Sequence, residues 1–254
     1  MRAYQWTFAI ALAGVVTIGC GSEGRDRQDI DLSAELAVVE EARAAYDEAW
    51  QRLQDLEAEQ KELKGKSRLT ADERARLSEL EEEIEEAKAA HDEAFSADDD
   101  ALTGFLNEAL NAAPNDPATL RGLRLYADKA MRNADTFMTV SGDYRRAIEI
   151  LETAASYFEA VDTPAPEDLK EAIATAKDLR FLSKERFDQV ARRMTEEEVK
   201  AITGTPFFPN IREHESGGRK IVTWFFNRTD GEVAAIHFTN GRVYQTVWQV
   251  ERQR

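Results

Sequence analysis

Side chains that commonly carry out chemistry are scarce in this 254-residue sequence. It has one cysteine, Cys20, and three histidines, His91, His214 and His237, which are far apart along the chain. The sequence contains no G-x-S-x-G nucleophile motif, no phosphate-binding P-loop and no H-E-x-x-H zinc motif. We therefore expect no catalytic residues, no metal site, no cofactor and no small-molecule substrate, and we predict that the protein is not an enzyme.

Cys20 stands at the end of an apolar segment that follows a positively charged N-terminus. Arg2 supplies the charge, and residues 6–18 are apolar. This run is too short to span a bilayer, but it has the usual length for the core of a signal peptide. The motif Thr17-Ile18-Gly19-Cys20 resembles the lipobox of bacterial lipoproteins.

The lipobox resemblance implies a signal peptide over residues 1–19, a covalent lipid on Cys20 and a polar tether over residues 20–30. Because Gly21 rather than aspartate follows the cysteine, the resemblance favours a location on the periplasmic side of the outer membrane. The anchor would make the membrane one partner of the chain. The alternative is an ordinary signal peptide with a free cysteine.

The charge of the chain argues against one class of partner. Lys and Arg number 33 and Asp and Glu number 49, which gives a net charge of −16. An acidic surface repels a phosphate backbone, so nucleic acid is not expected as a partner.

Residues 31–97 have the pattern of an antiparallel coiled-coil hairpin. Apolar residues recur every three or four positions, and Gly65 is a typical residue for ending the first helix. The sequence Thr70-Ala71-Asp72-Glu73 predicts a capping box that begins the second helix. A short loop makes the two helices neighbours. The expected pairs across the hairpin include Trp50–Ile84, Tyr46–Ala87 and Ala42–His91.

Residues 98–193 are predicted to form four further helices. Asp98-Asp99-Asp100 is interpreted as the linker that precedes them, and the fourth helix is expected to continue from Leu169 to Met194. Part of this region resembles tetratricopeptide repeats, on the residues Gly142, Tyr144, Ala147, Leu151, Ala154, Ala109 and Pro114. The resemblance implies a helical array that binds peptides or proteins. A plain helical bundle is the alternative.

Residues 194–254 combine a short helix with strands. Thr195-Glu196-Glu197-Glu198 predicts a second capping box, and Gly204 and Pro206 end the helix. Alternating apolar residues predict an antiparallel meander of three strands, and Asn240-Gly241 is a strong two-residue hairpin signal. The strands are expected over residues 219–226, 232–239 and 242–250.

This C-terminal region resembles the BamE/SmpA (OmlA) family of small outer-membrane lipoprotein domains. The matching motifs are Met194-Thr195-x-x-x-Val199-x-x-Ile202-x-Gly204-x-Pro206, Trp224-x-Phe226 and Ile236-His237-Phe238-x-Asn240-Gly241-x-Val243. The resemblance implies a small α+β fold. It does not settle the function, because related folds serve both as assembly subunits and as protein inhibitors.

Both faces of the predicted sheet carry apolar residues, which one short helix cannot cover. The first face has Val222, Trp224, Phe226, Ile236 and Phe238, and Phe207 and Phe208 are expected to cover its core. The second face must meet the helical array or a partner, since large apolar patches usually mark interfaces. Its candidate partner-binding residues are Ile221, Phe225 and Val233, together with Tyr244 and Trp248, whose place on this face depends on the register of the last strand.

The sequence therefore predicts a mainly α protein: a coiled-coil hairpin and a tetratricopeptide-like array, followed by a small α+β domain. The expected function is that of a membrane-anchored, non-enzymatic scaffold that binds other envelope proteins, with outer-membrane protein assembly as one setting. The alternative is an inhibitor or regulator of a periplasmic enzyme that uses the second face of the sheet.

Overall fold

The computed structural model describes residues 31–250, in which seven α-helices precede a four-stranded antiparallel sheet. The predicted fold class is confirmed. The helices are α1 Leu32–Gly65, α2 Ala71–Ala112, α3 Pro117–Thr136, α4 Tyr144–Ala160, α5 Glu167–Leu179, α6 Lys184–Gln189 and α7 Glu196–Thr203. The strands are β1 Ile211–Ser216, β2 Arg219–Asn227, β3 Val233–Thr239 and β4 Arg242–Val247. The signal peptide and Cys20 lie outside the described residues.

Helices α1 and α2 form the predicted hairpin. Helix α1 ends at Gly65, and both hydrogen bonds of the capping box at the start of α2 are present. The Glu73 amide donates to Thr70 Oγ1 at 3.2 Å, and the Thr70 amide donates to Glu73 Oε2 at 2.7 Å. These contacts satisfy amide groups that a helix N-terminus otherwise leaves unpaired.

The predicted register of the hairpin is wrong by about one helical turn. The His91 ring lies 5.4 Å from the ring of Tyr46 and 5.1 Å from that of Trp50, rather than opposite Ala42. The Phe95 ring also packs on Tyr46, at 5.7 Å. Counting outward from the loop missed this arrangement because the large aromatic rings gather into one cluster.

The predicted linker at Asp98–Asp100 is also wrong, because α2 runs through it without a break. Asp98 is fully buried, and its carboxylate accepts from Arg43 Nε of α1 at 2.7 Å and lies 2.9 Å from Lys129 Nζ of α3. Two cations from other helices therefore compensate a buried charge, and the run of aspartates can remain helical.

Helices α3, α4 and α5 share one hydrophobic core with the first part of α1 and the last turns of α2. The helix predicted to continue from Leu169 to Met194 is interrupted, since α5 ends at Leu179 and Ser183 caps α6. Between them the Leu182 amide donates to the Asn227 carbonyl at 2.9 Å. Leu182 and Phe187 thus pack against the sheet instead of extending α5.

The sheet has one strand more than the sequence predicted. Its order is β1-β2-β3-β4, and each strand pairs antiparallel with the next. Strand β1, with the sequence IREHES, lacks the apolar alternation by which the other strands were recognised. The predicted turn is present, with positive φ angles at Asn240 and Gly241.

The first face of the sheet is covered as expected. Trp224 and Phe238 stack with ring centroids 4.3 Å apart, and Val199 of α7 packs on the same cluster. Helix α6 adds Phe187 to this cover. Two short helices, rather than one, therefore close the core of the C-terminal module (residues 182–250).

Candidate functional site

The second face of the sheet carries four of the five predicted partner-binding residues. Ile221 and Phe225 alternate with the buried Trp224 along β2, and Val233 pairs with Asn227 at the start of β3. Tyr244 lies near His237, with ring centroids 5.9 Å apart. These four side chains are half-buried. None of them belongs to the hydrophobic cluster that joins α6 and α7 to the sheet within the described residues.

Trp248, the fifth candidate, lies on the first face, so its predicted placement is wrong. Its ring is 5.0 Å from that of Phe187, and the Arg228 guanidinium lies 4.0 Å from its ring centroid. A β-bulge opposite His237 and Phe238 inserts one extra residue into β4. An extra residue exchanges the two faces for everything beyond it, and the apolar pattern alone did not reveal it.

The structure also contains a cleft that the sequence did not predict, here called the α7–β1 cleft. It has a volume of about 520 Å³ and lies between α7, strands β1 and β2, and the π-helical turn Phe137–Ser141. Ile211, Val222 and Trp224 line it from the sheet. This volume falls in the range of about 300–1,000 Å³ that is typical of ligand-binding clefts.

Two exposed apolar side chains border the cleft. Val140 in the π-helical turn is 75 % exposed, and Phe208 in the turn Phe208–Asn210 is 68 % exposed. The expectation that Phe208 covers the core is therefore wrong. π-helical turns inside or beside α-helices often occur at functional sites.

Close backbone contacts hold the helical part of the chain against the cleft. The Tyr144 hydroxyl accepts a hydrogen bond from the Thr205 amide at 2.8 Å. Gly142 has φ +65°, and a Cβ atom there would lie 2.5 Å from the carbonyl carbon of Pro206. A Cβ atom at Gly204 would lie 2.3 Å from the Tyr144 hydroxyl oxygen. Only glycine permits this approach of the two segments.

The two residues Gly142 and Tyr144 therefore have a role that the repeat resemblance did not indicate. They place the π-helical turn beside the loop that follows α7, and this contact forms one wall of the cleft. No local signal identifies this role, because the contacting residues are about 60 positions apart in the sequence.

Both lysines that line the cleft form ion pairs. Lys220 Nζ lies 2.7 Å from Glu213 Oε2, and Lys200 Nζ lies 3.2 Å from Glu197 Oε1. The hydrogen bond that Lys220 donates to the Glu213 carboxylate raises the pKa of Lys220, so this lysine stays protonated near neutral pH. A protonated amine is neither a base nor a nucleophile. The cleft is suited to binding apolar groups between charged walls.

The histidines do not form a metal site. His91 is enclosed in the aromatic cluster of the hairpin, and His237 shares a 2.9 Å hydrogen bond with Thr223 Oγ1. Burial lowers the pKa of His237. Within residues 31–250 no group of three or more His, Cys, Asp or Glu side chains could hold a metal ion. None of the helices in this range is long and apolar enough to span a bilayer.

Comparison with known proteins adds no relative. Neither a protein-family model, nor a curated protein, nor a solved structure matches the chain.

Proposed function

We propose that this chain is a lipid-anchored envelope protein that binds another protein through the α7–β1 cleft and catalyses no reaction. The observation that carries the proposal is the pair of exposed apolar side chains, Val140 and Phe208, at the mouth of a cleft with an apolar floor. Apolar groups held at a concave surface are typical of sites that receive an anchor residue of a partner.

The strand order supports an extended partner segment. Strand β1 pairs with β2 on one side, and it is the terminal strand of the sheet formed by residues 211–247. An extended segment can add to such an edge through its backbone, while alternate side chains enter neighbouring pockets. Because Ile211 lines the cleft, a segment added to β1 places its side chains beside the cleft.

The membrane anchor and the setting of this function rest on the sequence. The lipobox at Cys20 supports attachment to a membrane, with the periplasmic side of the outer membrane favoured. The resemblance to BamE/SmpA domains supports a role as a scaffold in outer-membrane protein assembly. Under this proposal the partners are other envelope proteins.

The test is site-specific photocrosslinking of the full chain in cells. A photoreactive benzoylphenylalanine at Val140 should give a discrete crosslinked protein product, because this side chain borders the cleft. The matched control is Val38, a valine of α1 that is 60 % exposed and remote from the cleft, where no such product is expected. A second change, Phe208→Asp, should reduce the yield of the Val140 product by about tenfold, since it removes an apolar contact that the bound partner would bury.

The outcomes separate the alternatives. Equal products at Val140 and Val38, or a Val140 product that Phe208→Asp does not reduce, would contradict binding at the cleft. A product that contains subunits of an outer-membrane complex supports the scaffold, whereas a single soluble enzyme supports an inhibitor.

The second face of the sheet supports the inhibitor as a second candidate function. Ile221, Phe225, Val233 and Tyr244 form a half-buried apolar surface outside the cluster that packs on α6 and α7. If this surface is the binding site, a photoreactive residue at Tyr244 gives the crosslinked product, Phe225→Asp abolishes that product and Phe208→Asp leaves it unchanged. The reverse result assigns binding to the cleft.

A further inference from the structure

The loop end of the hairpin has a charge opposite to that of the rest of the molecule. Residues 61–76, here called the basic tip, contain six Lys or Arg and three Asp or Glu. The next segment of α2, residues 77–100, contains eleven acidic residues and one lysine. The hairpin of this chain, whose net charge is −16, is thus positively charged at its loop end and acidic along the adjoining part of α2.

Four cations of the basic tip form no ion pair within residues 31–250. Lys66 pairs with Glu73 at 2.9 Å, and Arg76 pairs with Glu59 at 2.8 Å and with Glu83 at 2.7 Å. The remaining four side chains are exposed to solvent: Lys61, Lys64, Arg68 and Arg74. Their charges are available to a partner.

Stabilisation of the helix ends does not explain the cluster. Lys61 and Lys64 lie near the C-terminus of α1, where a cation is favourable, but Arg74 lies in the first turns of α2, where a cation opposes the helix dipole. A structural role would place acidic residues alone at the start of α2.

The basic tip lies far from the contacts that hold the hairpin to the helical array. Those contacts use the first half of α1, through ion pairs of Glu40 and Asp47 and a hydrogen bond that Arg43 donates to the Leu125 carbonyl of α3. At 1.5 Å per residue, the 18 residues from Asp47 to Gly65 place the loop end of the hairpin roughly 27 Å from the nearest of these contacts. Beyond Asp47 the two paired helices project as an arm.

The chemistry of the tip favours a polyanionic surface over an acidic protein. The exposed large apolar residues of the described chain are Val38, Val140, Phe207 and Phe208, and none lies in the tip. Protein interfaces usually depend on apolar anchors of this kind. Attraction between clustered cations and an anionic bilayer needs none.

We infer that the basic tip docks end-on to an anionic phospholipid surface through Lys61, Lys64, Arg68 and Arg74. Each cation near such a surface strengthens binding by roughly fivefold, so four give several hundred-fold. The acidic run begins at Glu79, and nine helical residues separate it from Thr70, roughly 14 Å. This exceeds the Debye length of about 8 Å at physiological ionic strength, so end-on docking screens the acidic arm from the surface.

The experiment is vesicle sedimentation with the full chain carrying Cys20→Ala, so that no lipid anchor contributes. Vesicles of phosphatidylcholine with about 30 % phosphatidylglycerol are compared with phosphatidylcholine alone, at about 0.1 M and about 1 M salt. At about 0.1 M salt, we expect the protein to bind the anionic vesicles at least about a hundredfold more tightly than vesicles of phosphatidylcholine alone. At about 1 M salt, we expect binding to the anionic vesicles to disappear.

The variant and its control carry the same change in net charge. The tip variant combines Lys61→Glu, Lys64→Glu, Arg68→Glu and Arg74→Glu. The control changes four exposed arginines outside the tip to glutamate: Arg52, Arg145, Arg192 and Arg219. Circular dichroism verifies that both remain helical. The tip variant should lose binding, and the control should keep it within about threefold.

Three results would overturn the inference. Equal loss in both variants means that net charge alone governs binding. Retained binding in the tip variant means that another surface is used. Retention of the protein on immobilised polyglutamate, without binding to anionic vesicles, indicates an acidic protein as the partner. None of these results bears on the α7–β1 cleft, which crosslinking at Val140 tests separately.

Discussion

At the scale of single residues, Asp98 decides how three helices meet. Its carboxylate is fully buried and lies between Arg43 of α1 and Lys129 of α3. Lys129 also stands over the ring of Phe95, 4.5 Å from the centroid. A buried ion pair contributes little net stability, but removing one partner leaves an uncompensated charge. The network therefore specifies the packing of the hairpin on the array.

The substitution Asp98→Ala should lower the free energy of unfolding by about 3–5 kcal/mol, because it leaves the buried Arg43 without its counter-charge and Lys129 with only Asp99. Urea denaturation followed by circular dichroism measures the change. The matched control is Asp99→Ala. Asp99 also contacts Lys129, at 2.8 Å, but its side chain is half exposed, so we expect a loss below about 1 kcal/mol. Similar losses in both variants would show that burial of Asp98 is not the decisive factor.

At the scale of elements, two glycines and one tyrosine join the helical array to the C-terminal module. Gly142 ends the π-helical turn, and Gly204 ends α7. Each brings its backbone against the other segment at a distance that a side chain would block. The Tyr144 hydroxyl spans the junction, and burial raises its pKa.

The substitution Gly142→Ala should destabilise the chain by at least about 2 kcal/mol. A left-handed conformation costs a residue with a Cβ atom roughly 1–2 kcal/mol, and the contact with Pro206 adds to it. The control is Gly104→Ala in α2, where a Cβ atom meets nothing within 4 Å. There we expect a gain of about 0.4–1 kcal/mol. Thermal unfolding measures both, and a Gly142→Ala protein as stable as the wild type would contradict the tight junction.

At the scale of the whole molecule, the basic tip, the α7–β1 cleft and the proposed lipid-anchor site lie in different parts of the chain. The positive tip lies at the loop end of the hairpin, and the cleft lies where the array meets the sheet. The proposed lipid attaches at Cys20, ahead of α1. We propose that the anchor localises the protein and that the tip and the cleft then meet different partners.

The anchor leads to a prediction for the full chain in cells. Cys20→Ala should abolish both membrane fractionation and incorporation of radiolabelled fatty acid, because several acyl chains are needed for stable attachment. Fractionation of the wild type and the variant side by side gives the measurement. A variant that still sediments with membranes, together with a wild type that takes up no fatty acid, would contradict lipidation.

Features that depend on neighbouring residues were predictable from the sequence. The capping boxes at Thr70 and Thr195, the end of α1 at Gly65 and the turn at Asn240-Gly241 each involve contacts within about four positions. The alternation of Trp224 and Phe226 likewise placed both on the covered face. Local hydrogen bonds and a fixed side-chain period determine these features, so composition and spacing suffice to find them.

The tertiary structure alone decided the rest. Asp98 is helical and buried because Arg43 and Lys129, distant in sequence, compensate its charge. Trp248 changed faces because of one bulge, and β1 forms by pairing with β2 despite its polar sequence. The cleft exists because Gly142 and Tyr144 meet the segment 204–206. In each case the deciding contact joins residues that no local pattern relates, and only the folded chain brings them together.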